Sequence, residues 1–212
     1  MSGQNVISQY NICNQSVKDI NITRGSMSTS TKQTDFDILM EYGVDIRKRT
    51  LDLKGEVDKE VIHRFIKLLK FLDKTQGTIT IALDSEGGDV NLGLAAHDVI
   101  KNCENEVEII VEGVAMSMGS IILQAGDKRS ITKNSRIMIH RGDVSLEGNL
   151  NDVKKDLSEV LILDKMCVDI YYERILEKNP DFKRSKLEKM MDSNHYISAE
   201  EALELGFIDE ID

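Results

Sequence analysis

From residue 42 onward the apolar positions change period in a regular way. "RTLDLKGEV" alternates apolar and polar residues as a strand does and runs out at Gly55. "DKEVIHRFIKLLKFLDK" then places Val61, Ile62, Phe65, Ile66, Leu68, Leu69 and Leu72 at helical spacing behind Asp58, a suitable N-cap. "TITIAL" is a short β-branched run, broken by "DSEGGDV" and followed by a helical "NLGLAAHDVIKNC". A third strand, "EVEIIVEGV", leads into "AMSMGS" and a further apolar helix. Strands alternating with helices of this length predict right-handed crossovers and a largely parallel, buried sheet.

The last third changes character. After "RSITKNSRIMIHRGDVSLEG" an amphipathic stretch runs from 150 to about 178, with Val153, Leu157, Val160, Leu161, Asp164 and Val168 along one flank. At about 1.5 Å per residue it is longer than a compact domain of this size needs for itself, so it is expected to reach another subunit. "KRSKLEKMMDS" and "SAEEALELG" form shorter helices, the second with Ser198 as N-cap, Glu201 closing a capping box and Gly206 as C-cap. Residues 1–34 are rich in Asn, Gln, Ser and Thr and hold no sustained period, so they are read as a mobile segment ahead of one domain at 35–212.

Composition narrows the function. The 212 residues are 41% hydrophobic but only 5% aromatic, without Trp, so the core is built from Ile, Leu, Val and Met. A net charge of -10, with the basic residues scattered among acids, speaks against a nucleic-acid partner. No apolar run is long enough for a membrane span, and the first residues lack the pattern of a signal peptide. Cys13, Cys103 and Cys167 are odd in number and lack CxxC spacing, which suggests reduced thiols in the cytoplasm rather than a zinc site or disulfides.

Reacting groups in a parallel sheet gather outside the carboxyl ends of strands, where helix N-termini present free N–H groups. "SEGGD" and "MSMG" both fall at such ends. Gly87 and Gly88 can expose backbone N–H groups with no side chain in the way, as an oxyanion hole requires. Ser117 begins a helix, where the macrodipole favours a developing alkoxide and Met118 offers its own N–H. A serine hydroxyl cannot attack unaided, so a base must stand about 2.6–3.2 Å from it. Of the four histidines, His63 and His97 lie in helical segments and His195 in a polar loop, whereas His140 ends the strand-like "SRIMIH" at another carboxyl edge. Topology favours His140.

The segments "SEGGDVNLGLAAHDVI", "GVAMSMGSIILQAGDKRSITKNSRIMIH" and "ISAEEALELGFID", in this order and spacing, resemble the proteolytic subunit of the caseinolytic protease, the ClpP family of serine peptidases. The resemblance extends from about residue 42 to 211. It implies a crotonase-like α/β fold, with a parallel sheet of βαβ units and a protruding handle helix starting at Leu150. It further implies homo-oligomeric, heptameric rings stacked in pairs, 14 subunits in all, around a degradation chamber. By this likeness Ser117 is the nucleophile, His140 the base, Asn194 the third triad position, and Gly88 and Met118 the oxyanion-hole donors. An unfolded polypeptide would lie as an added strand beside Gly87, Asp89 and Val90. No metal or organic cofactor is implied, because ATP belongs to a partner, a hexameric AAA+ unfoldase.

Several positions depart from the family pattern. Glu86 replaces a usual proline and brings a carboxylate toward the substrate groove. Asn194 replaces the aspartate of the triad; its carbonyl can accept the imidazole Nδ1 proton but brings no charge, and Asp192 or Asp143 are alternative carboxylates. Ser193 stands where the family often has an arginine. The residues leave open a catalytically impaired ring subunit that pairs with an active paralogue, an acyl-CoA enzyme of the crotonase fold, and a viral capsid-maturation protease.

Overall fold

The computed structural model describes residues 29–212, and contacts divide the chain into two units, Met1–Phe36 and Asp37–Asp212. The segment read as mobile, residues 1–34, lies outside the described residues except at its end, where helix α1 (Thr29–Tyr42) begins. The sequence TSTKQTDFDILMEY has almost no apolar stripe, so its pattern does not announce α1. Gly43, at φ 66°, ends it, donating its N–H to the Leu39 carbonyl at 2.9 Å.

The sheet runs β1 (Val44–Asp45), β2 (Thr50–Val57), β3 (Ile79–Gly88), β4 (Val107–Met116), β5 (Lys128–Ile131) and β8 (Glu210–Ile211) in that spatial order. All these pairs are parallel except β1 with β2. The central strand β4 serves two neighbours in succession. Its first half, from Glu108 to Val111, pairs β5, and Val114, Ala115 and Met116 pair the short β6 (Arg136–Ile139). Strand β7 (His195–Ile197) then adds to β6 in antiparallel fashion. A parallel sheet of βαβ units is therefore present, with a small antiparallel corner at its carboxyl edge.

Helices cover the sheet because their apolar residues recur every three or four positions. Helix α2 (Lys59–Leu72) starts where the Asp58 carboxylate accepts from the Val61 N–H at 2.8 Å. It buries Ile62, Phe65, Leu69 and Leu72, each worth about 2 kcal/mol on removal from water. Helix α3 (Val90–Lys101) is capped by Asp89, and every residue of the short α4 (Met118–Leu123) is buried. At the far end Arg129, 3% exposed, forks onto the Asp209 carboxylate at 2.7 and 3.1 Å and ties the chain end to β5.

Helix α5 (Leu150–Lys178) has 29 residues and so a length of about 43 Å. The flank read along it divides in two. Only its second half enters the subunit core, through Val168, Tyr171 and Ile175, while Leu157 and Leu161 are exposed. Helices α6 (Arg184–Met191) and α7 (Ala199–Leu205) complete the fold. Ser198 accepts from the Glu201 N–H at 3.2 Å, and Gly206 at φ 89° closes α7. The Glu201 carboxylate stands 3.4 Å from His195 Nε2.

Candidate active site

Register brings two distant residues together. Met116 of β4 is paired with Met138 of β6, so one step beyond the first lies Ser117 and two steps beyond the second lies His140. The Ser117 N–H donates to the Met138 carbonyl at 2.8 Å, extending the contact past the ladder. His140 Nε2 lies 2.8 Å from Ser117 Oγ, within the reach a general base needs. With the Nδ1-protonated tautomer, the serine hydroxyl donates to Nε2 and is poised to lose its proton during attack on a carbonyl.

Ser117 adopts φ 49° and ψ −120°, a conformation that costs a residue with a side chain on the order of 1–3 kcal/mol. The surroundings hold it there. Its carbonyl accepts from the Ser120 N–H at 3.0 Å and from the Ser120 hydroxyl at 2.7 Å. Ser120 Oγ in turn lies 2.6 Å from the hydroxyl of Tyr171, which reaches in from α5. The sharp strand-to-helix turn projects the Ser117 side chain out of the sheet, the role such a strained turn plays under a nucleophile.

The glycine turn fits against this serine. Gly87 has φ 98°, and a Cβ there would lie 2.7 Å from Ser117 Cβ and 3.0 Å from the Met118 nitrogen. Gly88 has φ 150°, and a Cβ there would lie 2.6 Å from the Val57 carbonyl oxygen. Neither position accepts a side chain without displacing backbone. Met118 is the first residue of α4, so its N–H has no intrahelical acceptor and is available to an incoming oxygen. With six residues, α4 has a weak dipole, and the N–H itself matters more than the macrodipole. Ser117, His140 and Val90 border a cavity of about 300 Å³ walled by Ile121, Leu163 and Tyr171. Asp89, placed beside the substrate in the sequence reading, uses its carboxylate to accept from the Leu92 N–H at 2.9 Å and start α3. Glu86 is exposed on β3.

Asn194 is the position that the structure does not bring into contact. The β6–β7 ladder ends at Ile139 opposite His195, and one further step would set His140 opposite Asn194. Asn194 is instead exposed in the turn before β7, and no side chain among the described residues hydrogen-bonds the second ring nitrogen of His140. The ladder stops one residue short, so nothing in the backbone draws the amide inward. The alternative carboxylates do not replace it: Asp192 pairs with Arg141 at 3.6 Å, and Asp143 borders the cavity without bonding the imidazole. Ser193 is exposed beside them.

The other histidines stay away from Ser117. His63 is exposed on α2, and His97 lies 3.1 Å from the neighbouring Asp98, with burial holding its imidazole below the ordinary range against the pull of that carboxylate. Cys167 also borders the cavity, but burial, helped by Asp164, pushes its thiol up to about 11, so it stays protonated near neutral pH. Among the described residues no cluster of His, Cys, Asp or Glu is arranged to hold a metal ion, and no helix is long and apolar enough to cross a membrane.

Two supports of the site were not singled out from the sequence. Ser120 and Tyr171 lock the Ser117 carbonyl, and Arg141 fastens the chain just after His140 through Asp164 of α5 and the Met191 carbonyl. A tyrosine in register with Val168 and Ile175 on an amphipathic helix was the available signal for the first. No local pattern announces the second.

The profile of the Clp protease family matches residues 30–212. The chain is 34% identical to the ATP-dependent Clp protease proteolytic subunit of Deinococcus radiodurans, over 86% of this chain and 88% of that protein. It is 32% identical to the protein of that name from Chlorella vulgaris, covering 78% and 82% of the two chains. It is 33% identical to ATP-dependent Clp protease proteolytic subunit 2 of Thermobifida fusca, over 78% and 81%.

Proposed function

The chain belongs to the Clp protease family and is a serine-type proteolytic subunit, and from that premise we propose that Ser117 is its nucleophile and His140 its general base. The single observation that carries the assignment is the 2.8 Å contact between Ser117 Oγ and His140 Nε2. Ser117 Oγ attacks the scissile carbonyl while its proton passes to Nε2, and the backbone N–H groups of Gly88 and Met118 receive the developing oxyanion. His140 then returns the proton to the leaving amine, and water repeats the sequence to release the acyl group. The substrate is an unfolded polypeptide laid along the Gly87 to Val90 edge as an added strand, with a side chain in the adjoining cavity.

The finer assembly belongs to the same proposal. Leu157, Leu161, Ile162 and Met166 of α5 are 45 to 59% exposed, a large apolar surface for one helix. A second copy covering it, with two heptameric rings joined through α5, accounts for both the helix length and its apolar flank. The relatives are named as ATP-dependent, and an AAA+ unfoldase as the source of that ATP chemistry is part of this reading. Cytoplasmic residence is proposed with it, supported by the unpaired thiols of Cys103 and Cys167.

A second reading, an impaired ring subunit that needs an active paralogue, is favoured by one observation: Asn194 does not bond His140. Purified chain, sized by sedimentation and given unfolded casein, separates the two. The proposal expects a particle near 14 subunits that produces short peptides, and no peptides from Ser117→Ala. A ring that is silent alone and gains activity only with a paralogue would establish the second reading.

A further inference from the structure

The residue that follows the proposed base is held by three contacts to two helices. The Arg141 N–H donates to the Met191 carbonyl at 3.0 Å, at the end of α6. Its guanidinium pairs with Asp164 of α5 and, at 3.6 Å through Nε, with Asp192, the C-cap of α6. The pair with Asp164 is partly sheltered, with the two side chains 37 and 22% exposed. Beyond Arg141 the segment 142–148 is irregular and largely exposed. Arg141 is therefore the fastening between His140 and the helices behind it.

In a Ser-His-Asp triad the third residue both orients the imidazole and stabilises its charged form. Here no side chain among the described residues bonds the second ring nitrogen, so orientation has to come from the backbone. We propose that Arg141 is a positioning residue whose ion pair to Asp164 fixes the chain at His140 and so keeps Nε2 within reach of Ser117. The clasp supplies orientation but no negative charge to the imidazolium, so it replaces one of the two roles of the missing aspartate and leaves the other unfilled. Asp164 lies two helical turns before Tyr171, which secures the Ser117 carbonyl. One face of α5 thus supports both reacting residues, His140 through Arg141 and Ser117 through Tyr171.

The inference rests on the reading of Ser117 and His140 as the reacting pair, and its test has one readout that does not. Hydrogen–deuterium exchange across residues 138–148 and steady-state cleavage of a fluorogenic peptide are compared for the unaltered chain, Arg141→Ala, Asp164→Asn and Arg141→Lys, all in assembled particles. Loss of the clasp is expected to speed exchange at this segment and to lower kcat about 10- to 100-fold, with KM within about twofold, since small misplacements of a reacting group cost that much. Arg141→Lys, which keeps a cation opposite Asp164, is expected to recover most of kcat. Unchanged exchange in both Arg141→Ala and Asp164→Asn overturns the clasp, even if the unaltered chain proves inert to the peptide. Faster exchange with unchanged kcat overturns its positioning role. Cleavage that survives Ser117→Ala in the same series would instead refute the assignment of the nucleophile.

Discussion

Ser120 and Tyr171, fifty-one positions apart, share a 2.6 Å hydrogen bond directly behind Ser117. Removing the phenol hydroxyl by Tyr171→Phe leaves Ser120 its two carbonyl acceptors but loosens the strained turn. Stability is expected to fall by about 1 kcal/mol. A similar loss of positioning would lower kcat about fivefold. Burial raises the Tyr171 phenol above its ordinary range, outweighing the lowering effect of Ser120. A raised folded value means that this contribution is complete below about pH 10, the unfolded phenol value, and declines as pH rises beyond it. Melting curves from pH 8 to 11 should show an alkaline decline that is weaker in Tyr171→Phe; parallel curves would disprove the linkage.

Gly87→Ala combines a left-handed backbone with a Cβ 2.7 Å from that of Ser117. The fold should persist, with far-ultraviolet circular dichroism unchanged, while kcat/KM falls by about 100-fold or more because Ser117, the proposed nucleophile, is displaced. Activity within about threefold of the unaltered chain would show that the glycine turn is not pressed against the serine.

Asn194→Asp tests the missing third partner. One more step of the β6–β7 register sets position 194 opposite His140, and a carboxylate has a charge-based reason to turn inward that an amide lacks. In one serine-protease triad the reverse change lowers kcat by about 10⁴, so a gain of about 10-fold or more is expected here. An unchanged kcat in peptide hydrolysis would mean that position 194 does not address the imidazole.

What could be read ahead of the structure was what short-range periodicity encodes. "TITIAL" and "EVEIIV" became β3 and β4, and Asp58, Ser198 and Gly206 cap helices as their side chains and positions imply. The Ser117–His140 approach was legible as topology, because both residues end strands that point the same way. Helix α1 was not legible, since its residues carry almost no stripe. The excess length of α5 was legible, but not where it divides into a buried and an exposed half, because Leu157 and Val168 look alike in sequence and differ only in what lies opposite them. The Arg141–Asp164 clasp and the Tyr171–Ser120 bond join positions separated by 23 and 51 residues, and no local pattern links them.

Asp209 supports the chain end rather than the chemistry. Burial would raise its carboxyl, but the hydrogen bonds and charge of Arg129 outweigh this and hold it below the usual range. A depressed folded value means that the stabilisation is present above about pH 4 and is lost as pH falls through the folded value. Asp209→Asn leaves the buried Arg129 with only the more distant Glu177 carboxylate, 4.0 Å away, and should lower stability by about 1 kcal/mol at pH 7. Between pH 5 and 3 its Tm should fall less than that of the unaltered chain; equal slopes would contradict the pairing.

The proposed chemistry requires that the Ser117 hydroxyl, activated by His140, is the group that attacks. Incubation with a fluorophosphonate followed by peptide mass mapping measures this directly, because the reagent captures an activated serine. One adduct per chain on Ser117 is predicted, greatly slowed in His140→Ala and absent in Ser117→Ala. An adduct on another residue, or labelling of Ser117 at the same rate without His140, would contradict it.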